Sequence, residues 1–248
     1  MDDHIFMINI YEGVNYQKKG TKLRKTSSAI QAKPIVLRSH LQRHDDWHTW
    51  RFYVTVKVTM FRRETDENSV KTGYREKSEK IVLEINLLQA TLIHRDIQQV
   101  KAITSLANEK GEHVLKDLLT FKMTCNSTEL EGWQLMPNCR WILGGTTIHL
   151  ATNWHIESLV HFLGLRQDDP KFCQNLINLT SEFDYTPLHV AAVQDNTVVT
   201  RFLIDKKAKT GAQNDKRQTA LHLAAQSGSI NNVITLLYDG HAHLMEKD

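Results

Sequence analysis

One heptad that recurs along the second half of the chain constrains its fold more than any other feature. Residues 186–192 (TPLHVAA) recur as residues 219–225 (TALHLAA) and, more loosely, as residues 146–152 (TTIHLAT). The histidines of the three copies lie 40 and then 33 residues apart. Self-similarity at a period near 33 residues is typical of repeat architectures, in which each unit must stack on its neighbours to bury its apolar face.

Each copy of the heptad predicts the start of a helical hairpin. Its threonine can cap a helix with the hydroxyl, and Pro187 supplies a preset φ at the first helical position, where its missing N–H costs nothing. The small and apolar residues that follow form a narrow stripe on one helix. After a polar break, Val199, Phe202 and Leu203 have the i, i+3, i+4 spacing of a second amphipathic helix. The sequence therefore predicts consecutive helical hairpins.

These features resemble the ankyrin-repeat family, whose signature is a period of about 33 residues with a T-P-L-H-x-A core. The resemblance implies a solenoid of stacked hairpins and repeat histidines whose hydrogen bonds tie neighbouring loops together. It also implies glycine at two hairpin positions that are occupied here by Asp184 and Arg217. Aspartate tolerates a positive φ moderately well and arginine poorly, so we expect some strain at the Arg217 tip.

The long first repeat, followed by a Thr-Pro-Leu-His repeat, is also similar to the ankyrin arrays of the inhibitor-of-NF-κB family, including the array fused to Rel precursors. That family's Asp-Ser-Gly-x-x-x-Ser phosphodegron is absent from this sequence, and so is an acidic tail. The alternative is the cytoplasmic ankyrin segment of a larger protein such as an ion channel. The chain stops at Asp248, where a further hairpin would start, so we expect an open face formed by Leu221, Leu223 and Leu236.

Patterns outside the repeats divide the chain into three regions. Residues 1–84 form an N-terminal region of uncertain fold, partly disordered, with a strand at 51–61 and a second strand at 81–83 across a long polar loop. Helical periodicity then returns, and residues 85–145 are interpreted as atypical capping helices and an insertion. With three ankyrin repeats at 146–248, the predicted class is mainly α, a solenoid of stacked helical hairpins with one or two β-strands near its N-terminus.

Composition and charge limit the class of protein further. A net charge of +3 over 248 residues is too small to indicate a nucleic-acid partner. Three cysteines without paired spacing favour a reducing compartment. No stretch approaches about 18 consecutive apolar residues, so no membrane span is expected. We predict a cytoplasmic location, with a nuclear one in addition if the basic tract at 18–25 is an import segment rather than a solvated tail.

The sequence contains few candidates for chemistry. His40, His44 and His48 would share one face of a helix and could then hold a metal, but a polar surface segment is the preferred interpretation. The chain has no nucleophile elbow and no phosphate-binding glycine loop. We therefore expect no metal, no cofactor, no catalytic residue and no enzymatic activity; the weaker alternative is an enzyme within residues 1–84, which a pocket with convergent polar groups would indicate.

Binding to another protein through the concave face of the solenoid is the predicted function. Exposed aromatic residues on such a face are the type of residue that dominates binding energy. Trp154 at the end of a first helix, with Phe183 and Tyr185 at a hairpin tip, are the candidate partner-binding residues. The alternative is that these three rings pack on the inserted segment.

Overall fold

A computed structural model describes most of the chain after residue 50. In the first 50 residues it describes His48 and two short antiparallel pairs, β1 (Phe6–Ile8) with β4 (Ile35–Leu37) and β2 (Tyr16–Lys19) with β3 (Lys22–Lys25). The predicted disorder of this region and the rest of the candidate histidine cluster lie outside the described residues. Beyond residue 50, the described residues are 51–65, 72–125, 134–135, 137–154, 156–166, 169–194 and 196–240.

A long antiparallel hairpin precedes the helical part of the chain. Strand β5 (Arg51–Thr65) pairs with β6 (Thr72–Asn86) along its full length. Two-residue strands flank this hairpin, β7 (Thr124–Cys125) beside β6 and β8 (Gln134–Leu135) beside β5. Both short strands come from the inserted segment, so the insertion and the hairpin form one sheet with the order β7-β6-β5-β8.

Both predicted strands are present, but each is longer than the sequence predicted. The strand expected at 51–61 runs on to Thr65, and the residues expected at 81–83 belong to a strand that begins at Thr72. The stretch 62–80 is therefore mostly paired strand rather than a long loop. Its charged residues misled the prediction because an antiparallel sheet can leave one face in water. The buried face is apolar, with Val56, Val58, Met60, Ile81, Leu83 and Ile85 almost fully covered.

Four helices connect the sheet to the first heptad. Asn86, the last residue of β6, caps α1, and Asp96 caps α2 through hydrogen bonds from two backbone N–H groups. The predicted helices after residue 85 are present, together with a short helix inside the insertion. Their bounds are α1 (Leu87–Ile93), α2 (Ile97–Lys110), α3 (Glu112–Thr120) and α4 (Pro137–Arg140).

The three predicted helical hairpins are present over the three heptads. Thr186 caps the second of them and Pro187 is its first helical residue, as predicted. Helix α5 packs on α8, α8 on α10, and α9 on α11, so a single hydrophobic core runs from the sheet to the last hairpin. The hairpins are α5 (Thr147–Trp154) with α6 (Ile156–Gly164), α8 (Pro187–Val193) with α9 (Thr197–Asp205), and α10 (Ala220–Ser227) with α11 (Ile230–Tyr238).

The first hairpin owes its extra length to an additional helix. Helix α7 (Pro170–Ile177) follows α6, and the Asp169 side chain caps it by accepting hydrogen bonds from Lys171 N at 3.0 Å and Phe172 N at 3.1 Å. Pro170 occupies its first position, where a proline is best tolerated. Part of the extra length of the first repeat is therefore a capped helix.

Helix α1 begins with the hydrogen bonds of a repeat but without its sequence. The Asn86 side chain accepts a hydrogen bond from Gln89 N at 2.8 Å, and the Gln89 side chain accepts one from Asn86 N at 3.1 Å. Gln89 Nε2 also donates to Phe121 O at 2.8 Å. An amide therefore makes here the bonds that an imidazole makes in the repeats.

Candidate protein-interaction surface

The repeat histidines fix the loops that join successive units. His189 Nδ1 accepts a hydrogen bond from Thr186 N at 3.0 Å, and its Nε2 donates to Gln218 O at 3.1 Å in the loop before the next hairpin. His149 Nε2 donates to Tyr185 O at 2.7 Å in the same way. The structural role that the resemblance implied for these two histidines is confirmed.

Burial keeps both imidazoles neutral. It lowers the pKa of His149 and of His189 from 6.5 to about 4. A neutral imidazole has one donor and one acceptor, which match the backbone carbonyl on one side and the backbone N–H on the other. A second proton on Nδ1 would leave two donors facing each other inside the core.

The joining loops are called here the first finger (residues 178–186) and the second finger (residues 206–219). Asp184 in the first finger has a φ of 57°, and Arg217 in the second has a φ of 60°. Both residues thus adopt the left-handed conformation where the repeat usually has glycine, as predicted. In the second finger, Asn214 Oδ1 stabilises the turn by accepting hydrogen bonds from two backbone N–H groups.

The described residues of the inserted segment (residues 121–145) lie against both fingers. Arg140 is only 5% exposed, and its guanidinium forms an ion pair with Asp215 in the second finger. Its Cζ lies 4.1 Å from the ring centroid of Phe183 in the first finger, a cation–π distance. One side chain of the insertion therefore holds two fingers together.

Gly144 allows the inserted segment to approach the first finger closely. Its φ is +67°, and a Cβ added at this position would lie 2.5 Å from Glu182 N. The neighbouring carbonyl of Leu143 accepts a hydrogen bond from the same N–H at 3.0 Å. A residue with a side chain at 144 would be strained and would push this backbone contact apart.

The three aromatic residues predicted to bind a partner lie at this contact. Tyr185 is 0% exposed, so the expectation of an exposed anchor is wrong for this residue, and burial raises the pKa of its hydroxyl to about 12. Trp154 is half-buried, with its ring centroid 6.3 Å from that of Trp141 in an edge-to-face pair. Phe183 is half-buried under the guanidinium of the insertion. For Trp154 and Phe183, packing on the inserted segment is observed, and partner binding stays a prediction.

The three leucines predicted to form an open face at the last hairpin are not exposed. Leu221, Leu223 and Leu236 are all buried. Leu223 and Leu236 point into the core because the helix periodicity assigns them to the stripe that faces the preceding unit. The exposed apolar residues of this hairpin lie elsewhere, on α11.

Residues 217–226 of the third hairpin include a group of exposed residues that the insertion does not contact. Gln218 and Gln226 lie along one side of α10 and its finger, with Gln218 Nε2 donating to Gln226 Oε1 at 3.5 Å. Arg217, Ala225 and Gln226 are exposed. We define these four residues as the open concave surface.

The described residues were also searched for membrane-spanning helices and for clusters of metal-binding side chains. None of their helices is long and apolar enough to cross a membrane. Within the same parts of the chain, His, Cys, Asp and Glu side chains do not come together in groups of three or more that could hold a metal ion.

Comparison with known proteins agrees with the hairpin geometry. A family model for ankyrin repeats matches residues 148–248 with three copies. Curated proteins give no match to the chain. The match begins within α5 and covers all three heptad hairpins. Residues 148–248 of the chain are therefore three ankyrin repeats.

Proposed function

We infer that this chain is a protein-interaction module, because ankyrin repeats mediate protein binding. We propose that the module is non-enzymatic and binds a protein partner through the open concave surface. The observation that carries this proposal is that the insertion packs on the first finger at Phe183 and reaches Asp215 in the second, whereas Arg217, Ala225 and Gln226 remain exposed beside it. A partner that lies along the concave side can reach the third repeat without displacing any of the residues that the structure describes.

The chemistry of the open concave surface suits a polar protein segment. Its side chains include the exposed guanidinium of Arg217, the exposed amide of Gln226 and the half-buried amide of Gln218, which together offer several hydrogen-bond donors and acceptors and one positive charge. Side-chain amides adapt to either donors or acceptors on a partner. The guanidinium favours a partner carboxylate, which it can hold with two parallel hydrogen bonds.

We expect the double variant Ala225→Arg/Gln226→Arg to weaken partner binding at least about tenfold, because two long cations would obstruct the middle of the surface. The partner is first captured by cross-linking to the full chain and identified by mass spectrometry. The affinity of each variant for the purified partner is then measured by titration calorimetry.

The matched control is Gln174→Arg/Asn175→Arg, which adds the same charges to exposed positions on α7. This control should bind as the unmodified chain does. Equal affinity of both double variants would contradict the proposed surface. If both double variants bind the partner equally weakly, the added positive charge weakens binding wherever it is placed. That result would also contradict the proposed binding surface.

Two finer versions of the function differ in the partner they require. An inhibitor-of-NF-κB-like regulator would bind a Rel-type dimer, so titration of such a dimer into the chain tests this version directly. It draws support from the long first repeat, whose extra length includes helix α7.

The cytoplasmic segment of an ion channel is the alternative, and apolar spans encoded beyond Asp248 in the same transcript would favour it. A cytoplasmic location, with a nuclear one in addition, is proposed for the regulator and is tested by imaging a tagged chain.

A further inference from the structure

An apolar stripe runs along one face of α11. Ile230, Ile234 and Tyr238 are 72%, 49% and 75% exposed. Their four-residue spacing places them in a row about 12 Å long on the helix surface. The sequence of this helix, INNVITLLY, contains no charged residue. A row of large exposed side chains of this kind marks an interaction surface.

Stacking of a further repeat does not account for the stripe. Because the capping threonines of the second and third hairpins are 33 residues apart, the stripe positions correspond to Thr197, Arg201 and Asp205 on α9. All three are polar, and Arg201 and Asp205 stay exposed although α9 already packs on α11. Positions that stay exposed beside the next repeat are not used for stacking. Apolar residues at the same positions of α11 therefore serve another contact.

We propose that this stripe binds the same stripe of a second copy of the chain, with the two α11 helices antiparallel. A two-fold axis through Ile234 places this residue against its counterpart and Tyr238 against Ile230 of the second copy. Antiparallel pairing also brings Asp239, at the C-terminal end of each helix, near the positive N-terminus of the other. Antiparallel pairing thus joins apolar residues to apolar residues along the whole stripe.

The charges at the border of the stripe agree with pairing of two identical surfaces. Arg201 Nε and Asp239 Oδ2 form an ion pair at 2.9 Å beside the stripe, so this border adds no net charge. Two copies can approach without like charges meeting. An uncharged helix offers nothing that would select an acidic or basic segment of another protein, whereas a second copy supplies a matching stripe without further requirement.

The area of the stripe predicts a weak dimer. Three side chains with these exposures offer about 400 Å² per copy, which is within the range of the largest apolar patch on a monomer. A stable complex of standard size buries about 800 Å² per partner. The pairing should therefore be reversible, with a dissociation constant of micromolar or weaker order.

Sedimentation equilibrium of the full chain tests the inference over concentrations from about 1 μM to about 1 mM. The mean mass should rise from monomer towards dimer across this range. Ile234→Glu should weaken the association at least about tenfold, because it places two carboxylates together on the two-fold axis. The matched control is Val198→Glu on α9, a residue 68% exposed and outside the stripe, which should associate as the unmodified chain does.

Mixing chains that carry Ile234→Glu with chains that carry Ile234→Lys should restore association, because opposite charges then meet on the axis. Both variants change an exposed side chain, and circular dichroism verifies that they are folded. A chain that stays monomeric throughout, a dimer that survives Ile234→Glu, or a mixture that fails to associate would overturn the inference. The inference goes beyond the proposed function, since Ala225→Arg/Gln226→Arg should leave the dimer intact and affect only partner binding.

Discussion

Replacement of Tyr185 by alanine is expected to lower the free energy of unfolding by about 3–5 kcal/mol. The side chain is 0% exposed and is among the largest fully buried in the described residues, so its removal leaves a cavity in a packed core. Its ring centroid lies 5.7 Å from that of His189, and its carbonyl accepts the hydrogen bond of His149. Urea unfolding followed by circular dichroism measures the change.

The control for this variant is Glu182→Ala, at an exposed position of the same finger. It should change the free energy of unfolding by no more than about 0.5 kcal/mol. If Tyr185→Ala unfolds at the same urea concentration as the unmodified chain, the ring is not buried. Tyr185 would then again be a candidate for the surface anchor that the sequence suggested.

The array is expected to lose several kcal/mol of stability as the pH falls from 6.5 to 4, because burial lowers the pKa of His149 and His189 to about 4. In the unfolded chain both histidines take up a proton near pH 6.5, whereas the folded chain excludes it until about pH 4. The unfolded state binds more protons within this window, so the free energy of unfolding falls with pH there. Above the window both states are neutral and nothing is lost. The full loss, about 3 kcal/mol per histidine, is reached below it.

The double variant His149→Gln/His189→Gln tests the origin of this pH dependence. Gln89 shows that an amide can make the bonds of the repeat histidine at the start of α1, and an amide does not titrate in this range. The double variant should therefore lose less stability than the unmodified chain between pH 6.5 and 4. His113→Gln, at an exposed position of α3, is the control and should follow the unmodified chain. Parallel curves for the double variant and the unmodified chain would contradict the assignment.

The helical hairpins could be predicted because their determinants are local. Thr186 and Pro187 fix the start of a helix within two residues, and the periodicity that follows fixes its buried side. The left-handed Asp184 and Arg217 followed from their places in the repeat. Each of these features depends on a few neighbouring residues, so it can be read from the sequence.

The unit at α1 was harder to assign from the sequence. Asn86 and Gln89 replace the threonine and histidine of the heptad, yet they make an equivalent capping box. The ankyrin family model likewise begins its match later, at residue 148. A search for any capping side chain followed three residues later by any side chain with an acceptor would have found this position.

The burial of Tyr185 could not be predicted because it depends on contacts between distant residues. Arg140 and Asp215 are 75 residues apart, and no local pattern links them. The adjacent Gly144 and Gly145 were a usable signal, since both sit where added side chains would collide with nearby backbone. A pair of glycines in an inserted segment indicates close approach to another part of the chain.

We propose that the docked insertion decides which part of the array a partner can reach. A double-mutant cycle of Arg140→Met and Asp215→Asn, measured by urea unfolding of the full chain, tests it most directly. Arg140 is nearly buried, so its ion pair should be stronger than one at an open surface. The predicted coupling energy is at least about 1 kcal/mol. A coupling energy within about 0.3 kcal/mol of zero would mean that the insertion does not hold the second finger, and it would contradict the claim.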